Sequence, residues 1–182
     1  FISASLGVWA KNEKTFYSVL FSQLVLGLGL GLVGMYFCLK INYKFWRKYA
    51  FFIALFTFFL TLLVFVPQFT LFHGGAKRWI DFGWFSIQPS EFLKLGFVIY
   101  FAAWLSKAKD KIEKFRYGLF PLLILIFLAA AAILTEPDTG TFLVIGASLV
   151  GMYIAAGAKW RDIIILIILC LVGISALWST RP

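Results

Sequence analysis

The stretch GGAKRWIDFGWFSIQPSEFLKLG, residues 74–96, decides how the chain is read. It gathers Lys77, Arg78, Asp81, Gln88, Glu91 and Lys94, with Lys107 a little further on, in a protein that is otherwise mostly lipid-soluble. Pro89 suits the first position of a helix, where its missing N–H costs nothing, with Gln88 as the cap. Glu91 then falls in the first turn, where a carboxylate meets the positive end of the helix dipole. Lys94 follows three residues on, on the same face and about 5–6 Å away. Residues 92–106 are otherwise apolar or small. The spacing therefore predicts a membrane helix with two opposite charges buried just inside its outer end. Ionisable groups at that depth are costly and mark a site by default.

Composition places that helix in a bilayer. Of 182 residues, 62% are hydrophobic and 14% charged, and the mean hydropathy is +0.93. A soluble domain of this length cannot hide so much apolar side chain. The net charge of +9 then reports membrane orientation, and no nucleic-acid partner is expected. Cys38 and Cys170 lie in apolar runs without disulfide or metal spacing. His73, the single histidine, reads as a solvated loop residue, so no metal ligand set is expected. No cleavable signal-peptide pattern opens the chain. It begins without Met on what reads as the end of a helix already under way, and stops at Trp178-Ser-Thr-Arg-Pro182 where a loop should start. The expectation is a fragment of a longer protein.

Six apolar runs follow one another: residues 16–39, 49–67, 89–106, 118–135, 140–158 and 163–178. At 1.5 Å per residue the first spans a core of about 30 Å comfortably, and the third and sixth sit at the short limit. Only helices satisfy their backbone within lipid at these lengths. The expected class is thus all-α: a polytopic integral membrane protein of about six spans plus the end of a preceding one, forming a single membrane domain over residues 1–182.

Charge sets the orientation. Lys40, Lys44, Arg47 and Lys48 fill one loop, Lys107, Lys109, Lys111, Lys114 and Arg116 a second, and Lys159 and Arg161 a third. These alternate loops face the cytoplasm by the positive-inside rule. Residues 74–90 and 136–141 then face outward, and both carry carboxylates.

Several signals have plain structural explanations. Gly29-Leu-Gly31-Leu-Val-Gly34 spells a dinucleotide fingerprint but lies inside a membrane run with no strand before it. Close helix packing by Gly27, Gly31 and Gly34, and by Ala147 and Gly151, explains these residues better. Trp46, Trp79, Trp84, Trp104, Trp160 and Trp178 sit at run ends as interfacial belts, with sugar stacking on Trp79 or Trp84 as the functional alternative. The basic loop 107–116 is an orientation signal, or a contact to anionic lipid.

Three outward groups have chemistry to offer. Lys77-Arg78-Trp79 pairs two cations suited to phosphate or pyrophosphate, unless they simply meet lipid headgroups. Glu91 with Lys94 is either a self-satisfied ion pair or one wall of a polar cavity for a headgroup or sugar hydroxyl. In Glu136-Pro-Asp-Thr-Gly-Thr141, Pro137 stops one helix, Asp138 or Thr139 caps the next and Gly140 permits a tight turn. Glu136 is harder to place, since it would sit at a negative helix pole.

Four segments now carry a resemblance: Gly75-Ala-Lys-Arg-Trp-Ile80, Gln88-Pro-Ser-Glu-Phe-Leu-Lys94, Glu136-Pro-Asp-Thr-Gly-Thr141 and Ala155-Ala-Gly-Ala-Lys159. In this order they resemble the SEDS family (shape, elongation, division and sporulation), whose members are FtsW, RodA and SpoVE, and look most like the division branch. The resemblance implies a multi-pass peptidoglycan glycosyltransferase of septal wall synthesis in the bacterial cytoplasmic membrane. It would polymerise lipid II on the outer face, beside a class B penicillin-binding transpeptidase and other division proteins. That chemistry needs a carboxylate to take a hydroxyl proton and cations to hold the departing pyrophosphate. The family's base is expected in an outward loop beyond Pro182, so no catalytic residue is assigned and the fragment itself is expected to be inactive. The residues left as substrate-binding candidates are Lys77, Arg78, Trp79, Gln88, Ser90, Glu91, Lys94 and Asp138. No cofactor is implied, with a divalent cation left open. A flippase of lipid-linked precursors and a non-catalytic division scaffold stand as alternatives. The first would need a charged path continuing to the cytoplasm, whereas no charged residue lies in the middle of any run except Lys94, itself near one end.

Overall fold

The structure, a computed structural model, describes residues 27–66, 70–73, 76–81, 86–135 and 138–169, and only the backbone of residues 30, 70–73, 76–78, 81 and 86. The chain divides into two compact units, Phe1–Phe45 and Trp46–Pro182. In the first, helix α1 (Leu30–Lys40) ends with Lys40 in its last turn, where a cation suits the negative helix pole. The glycines of this run do not make the close packing expected of them among the described residues. A Cβ added to Gly29, Gly31 or Gly34 would meet no atom within 4 Å, and the same holds for Gly151.

Helix α2 (Tyr43–Leu62) starts six residues before the apolar run does. Asn42 explains the early start: its side-chain oxygen accepts from the Lys44 backbone N–H at 3.0 Å, satisfying an orphan donor of the first turn. Lys44, Arg47 and Lys48 therefore belong to the helix and not to a loop. The most apolar 18-residue stretch of this element has a mean hydropathy of 2.1, and with the 3₁₀ turn Leu63–Phe65 the whole element runs 23 residues. That is about 34 Å, enough to cross a hydrocarbon core.

Between α2 and the next helix the sequence led us to expect a loop. The structure places there a three-stranded antiparallel sheet in the order β1 (Thr70–His73), β2 (Ala76–Asp81), β3 (Ser86–Ile87). In β2, Ile80 is buried and Trp79 is exposed, the alternation that a half-covered strand requires. Leu71 pairs with Trp79 but Phe72 pairs with Lys77, so Arg78 is the extra residue of a bulge.

Helix α3 (Pro89–Ala108), α4 (Leu119–Ile133), α5 (Thr139–Ala155) and α6 (residues 160–169) form the core of the second unit. Leu93, Phe97, Phe101 and Leu105 line one face of α3 and are buried with Leu122, Leu125 and Ala129 of α4 and Ile145, Leu149 and Tyr153 of α5. Within lipid such contacts stabilise by packing, because lipid tails are as apolar as leucine. Close approach occurs at Gly96, whose Cα faces Thr57 of α2 so tightly that an added Cβ would overlap the hydroxyl. The Phe58 and Phe97 rings stack beside it, 6.4 Å apart.

The short connections force α3, α4, α5 and α6 to alternate in direction, so polar contacts collect at two opposite ends. At the end predicted to be cytoplasmic, the Trp104 indole N–H donates to the Tyr117 carbonyl at 2.9 Å. Lys159 bridges Glu113 at 3.1 Å. The Tyr153 hydroxyl donates to Asp162 at 2.8 Å, with both residues fully buried. Gly118 lies against the Ile112 carbonyl and the Tyr153 hydroxyl, leaving no room for a Cβ. Gly157 adopts φ +96° just past α5, and its N–H donates to the Ile154 carbonyl at 3.0 Å. The Ala-Gly-Ala-Lys segment is thereby a helix C-cap.

Candidate functional site

The opposite end carries the candidate residues. Gln88 takes extended backbone angles as the N-cap of α3 and Pro89 occupies the first helical position, but the Gln88 side chain makes no cap hydrogen bond. Its amide nitrogen instead donates to the Ser90 hydroxyl at 3.0 Å and to the Asp138 carboxylate at 3.2 Å. Asp138 is the N-cap of α5. It accepts from the Thr141 N–H at 3.2 Å through one oxygen and from the Thr141 hydroxyl at 2.8 Å through the other, which also receives Gln88. Of the two capping choices open in the sequence, Asp138 is the one used. Gly140 is an ordinary residue in the first turn of α5, with the nearest atom to an added Cβ at 3.8 Å, so no tight turn needs it.

Three donors thus hold a carboxylate that is 7% exposed, and Ser90 beneath it is 1% exposed. Buried polar groups persist where every lone pair finds a partner. This junction, closed by its own hydrogen bonds, brings the Gln-Pro-Ser-Glu and Pro-Asp-Thr-Gly segments together.

Glu91 and Lys94 pair at 2.8 Å, as their spacing predicts. Within the chain the pair is not enclosed. The side chains are 54% and 27% exposed, because Pro89, Ser90, Leu93, Gly96 and Phe97 take the buried face of α3 and Glu91 falls on the other. Lys77 and Arg78 lie on β2 and Trp79 beside them is exposed. The side chains of Lys77, Arg78 and Asp81, together with Glu136 and Trp84, fall outside the described residues. Since β3 ends one residue before Gln88, the sheet joins directly onto the helix end that bears the junction. Lys107 sits exposed in the last turn of α3.

Sequence reasoning missed two features. It gave no partner to Gln88, and it overlooked the buried Tyr153–Asp162 pair. Asp162 sits in the first turn of α6 after a proline-free turn, so the favourable helix pole was the available signal.

Residues 1–182 match the FtsW, RodA and SpoVE family model, described as cell cycle protein. The chain belongs to this SEDS family. It is 32% identical over 183 residues to stage V sporulation protein E of Bacillus subtilis (strain 168), covering all of this chain and 50% of that protein. It is 37% identical over 152 residues to the probable peptidoglycan glycosyltransferase FtsW of Geobacter sp. (strain M18), covering 84% of this chain and 41% of the relative. The fold matches a chain of a peptidoglycan synthase complex, described as coordinating polymerization and crosslinking, with a TM-score of 0.75. That likeness, at 24% identity, covers 98% of this chain and 51% of the other. The SEDS chain thus spans about half, or less, of the length of the proteins it matches. Its class is that of an all-α membrane protein, to which the small sheet is a local addition.

Proposed function

We propose that this SEDS chain forms the outward polar rim of a multi-pass peptidoglycan glycosyltransferase that polymerises lipid II in septal wall synthesis. The observation that supports this reading is the Gln88–Asp138 hydrogen bond, which unites two family segments fifty residues apart. In this proposal Gln88, Ser90 and Asp138 are positioning residues: they fix the start of α3 against the start of α5. Glu91 and Lys94 then stand exposed beside the junction, and Lys77, Arg78 and Trp79 on the adjoining strand. Cations there would hold the pyrophosphate of the lipid carrier through charge-assisted hydrogen bonds. Residues 1–182 act as one membrane domain of the whole protein, beside a class B transpeptidase. The proton-accepting carboxylate is assigned outside this set, and no cofactor is invoked beyond a divalent cation that chelation during the assay would reveal.

The test is lipid II polymerisation by the purified full-length protein with its transpeptidase. Arg78→Ala and Glu91→Ala are expected to shorten and reduce the glycan while membrane insertion stays intact. Unchanged polymer length and yield in both variants would refute the site.

A further inference from the structure

We infer that the cytoplasmic start of α4 is a binding site for an anionic phospholipid of the inner leaflet. Phe120, Ile124 and Phe127 recur at helical spacing and are all exposed, Phe127 by 71%, so they form one stripe facing away from the core. The stripe continues past the helix end. The Phe120 N–H donates to the Phe115 carbonyl at 2.9 Å, and the two rings lie 6.0 Å apart in tilted contact. This turn holds Phe115, itself exposed, at the head of the stripe. On either side of Phe115 stand Lys114 and Arg116, both exposed. Neither has an ion-pair partner among the described residues, and the adjacent Glu113 is already engaged by Lys159.

The stripe would hold acyl chains, and the two cations stand at headgroup level on the side that the positive-inside rule assigns to the cytoplasm. A phosphodiester satisfies the Arg116 fork bidentately with Lys114 as a point charge. A zwitterionic headgroup would bring its own cation to two unneutralised ones, so the preference is for net negative lipid. Nothing in this site overlaps the outward junction of Gln88 and Asp138, which lies at the other end of the helices.

Native mass spectrometry of the chain, released from micelles containing equimolar phosphatidylglycerol and phosphatidylcholine with identical acyl chains, tests the site. Each cation near an anionic surface adds roughly fivefold, so phosphatidylglycerol should be retained about five- to thirtyfold over phosphatidylcholine. Lys114→Gln with Arg116→Gln should bring that ratio near one, whereas Lys40→Gln with Lys44→Gln, exposed cations that leave the Lys159–Glu113 bridge intact, should leave it high. Phe120→Ala should lower retention of both lipids. A wild-type ratio near one, a ratio unchanged in the Lys114/Arg116 double variant, or complete displacement by inorganic phosphate at tens of millimolar would each overturn the assignment. These side chains are exposed, so far-ultraviolet circular dichroism of the variants should match the wild type.

Discussion

The Gln88 side-chain amide donates to the Asp138 carboxylate across 3.2 Å, joining the N-cap residues of α3 and α5. Asp138→Ala removes the cap of α5 and leaves the Gln88 amide with the Ser90 hydroxyl as its remaining acceptor. A loss of about 1–3 kcal/mol is expected, read as a lowered thermal midpoint in detergent. Gln88→Ala should cost less, and the double variant should lose less than the two single losses together, because both remove one shared contact. Strict additivity would show that the contact carries no energy.

Gly96→Ala should destabilise by about 1–3 kcal/mol through overpacking, since the new Cβ would land on the Thr57 hydroxyl. Thr57→Ala removes the oxygen and methyl group in the way, so adding it to Gly96→Ala should recover much of the loss. Equal thermal midpoints for the single and double variants would count against this packing account.

Tyr153→Phe should destabilise by about 1–3 kcal/mol, because the Asp162 carboxylate stays buried without its 2.8 Å donor. Replacing both partners, as Tyr153→Phe with Asp162→Leu, should cost less than the single change. A chemical-denaturation series in mild detergent separates these outcomes. A benign Tyr153→Phe would mean that the pair is not what holds α5 to α6.

Glu91→Gln should change stability by no more than about 1 kcal/mol, because the Glu91 side of its ion pair with Lys94 is half-exposed. The same bound applies to Glu113→Gln at the exposed Lys159 bridge. A lost thermal midpoint in Glu91→Gln would mean that the pair holds the start of α3 in the fold.

Periodicity and proline placement located α3, α4 and α5 to within three residues, because a membrane helix announces itself by length and by helix-stopping residues. The start of α2 at Tyr43 was legible in principle, since Asn42 is a good N-cap, but the four cations around it look like a loop. The sheet between Thr70 and Ile87 was not legible: its strands are two to six residues long, too short for alternation to rise above background. The Glu91–Lys94 pair followed from spacing alone, and its exposure did not, because which face of α3 turns inward is decided by Leu93 and Phe97 meeting partners on other helices. The Gln88 contact with Asp138 lies fifty residues away in sequence, and no local pattern reports such a distance.

Helix α5 is fastened at both tips: Asp138 ties its first turn to the start of α3, and Tyr153 ties its last to the first turn of α6. A slide of one helical turn, about 5.4 Å, would tear both fastenings at once. The rod is therefore indexed against its neighbours along its whole length. A rearrangement at the Gln88–Asp138 end would therefore carry α3 and α5 as a single piece, with the travel absorbed outside that pair.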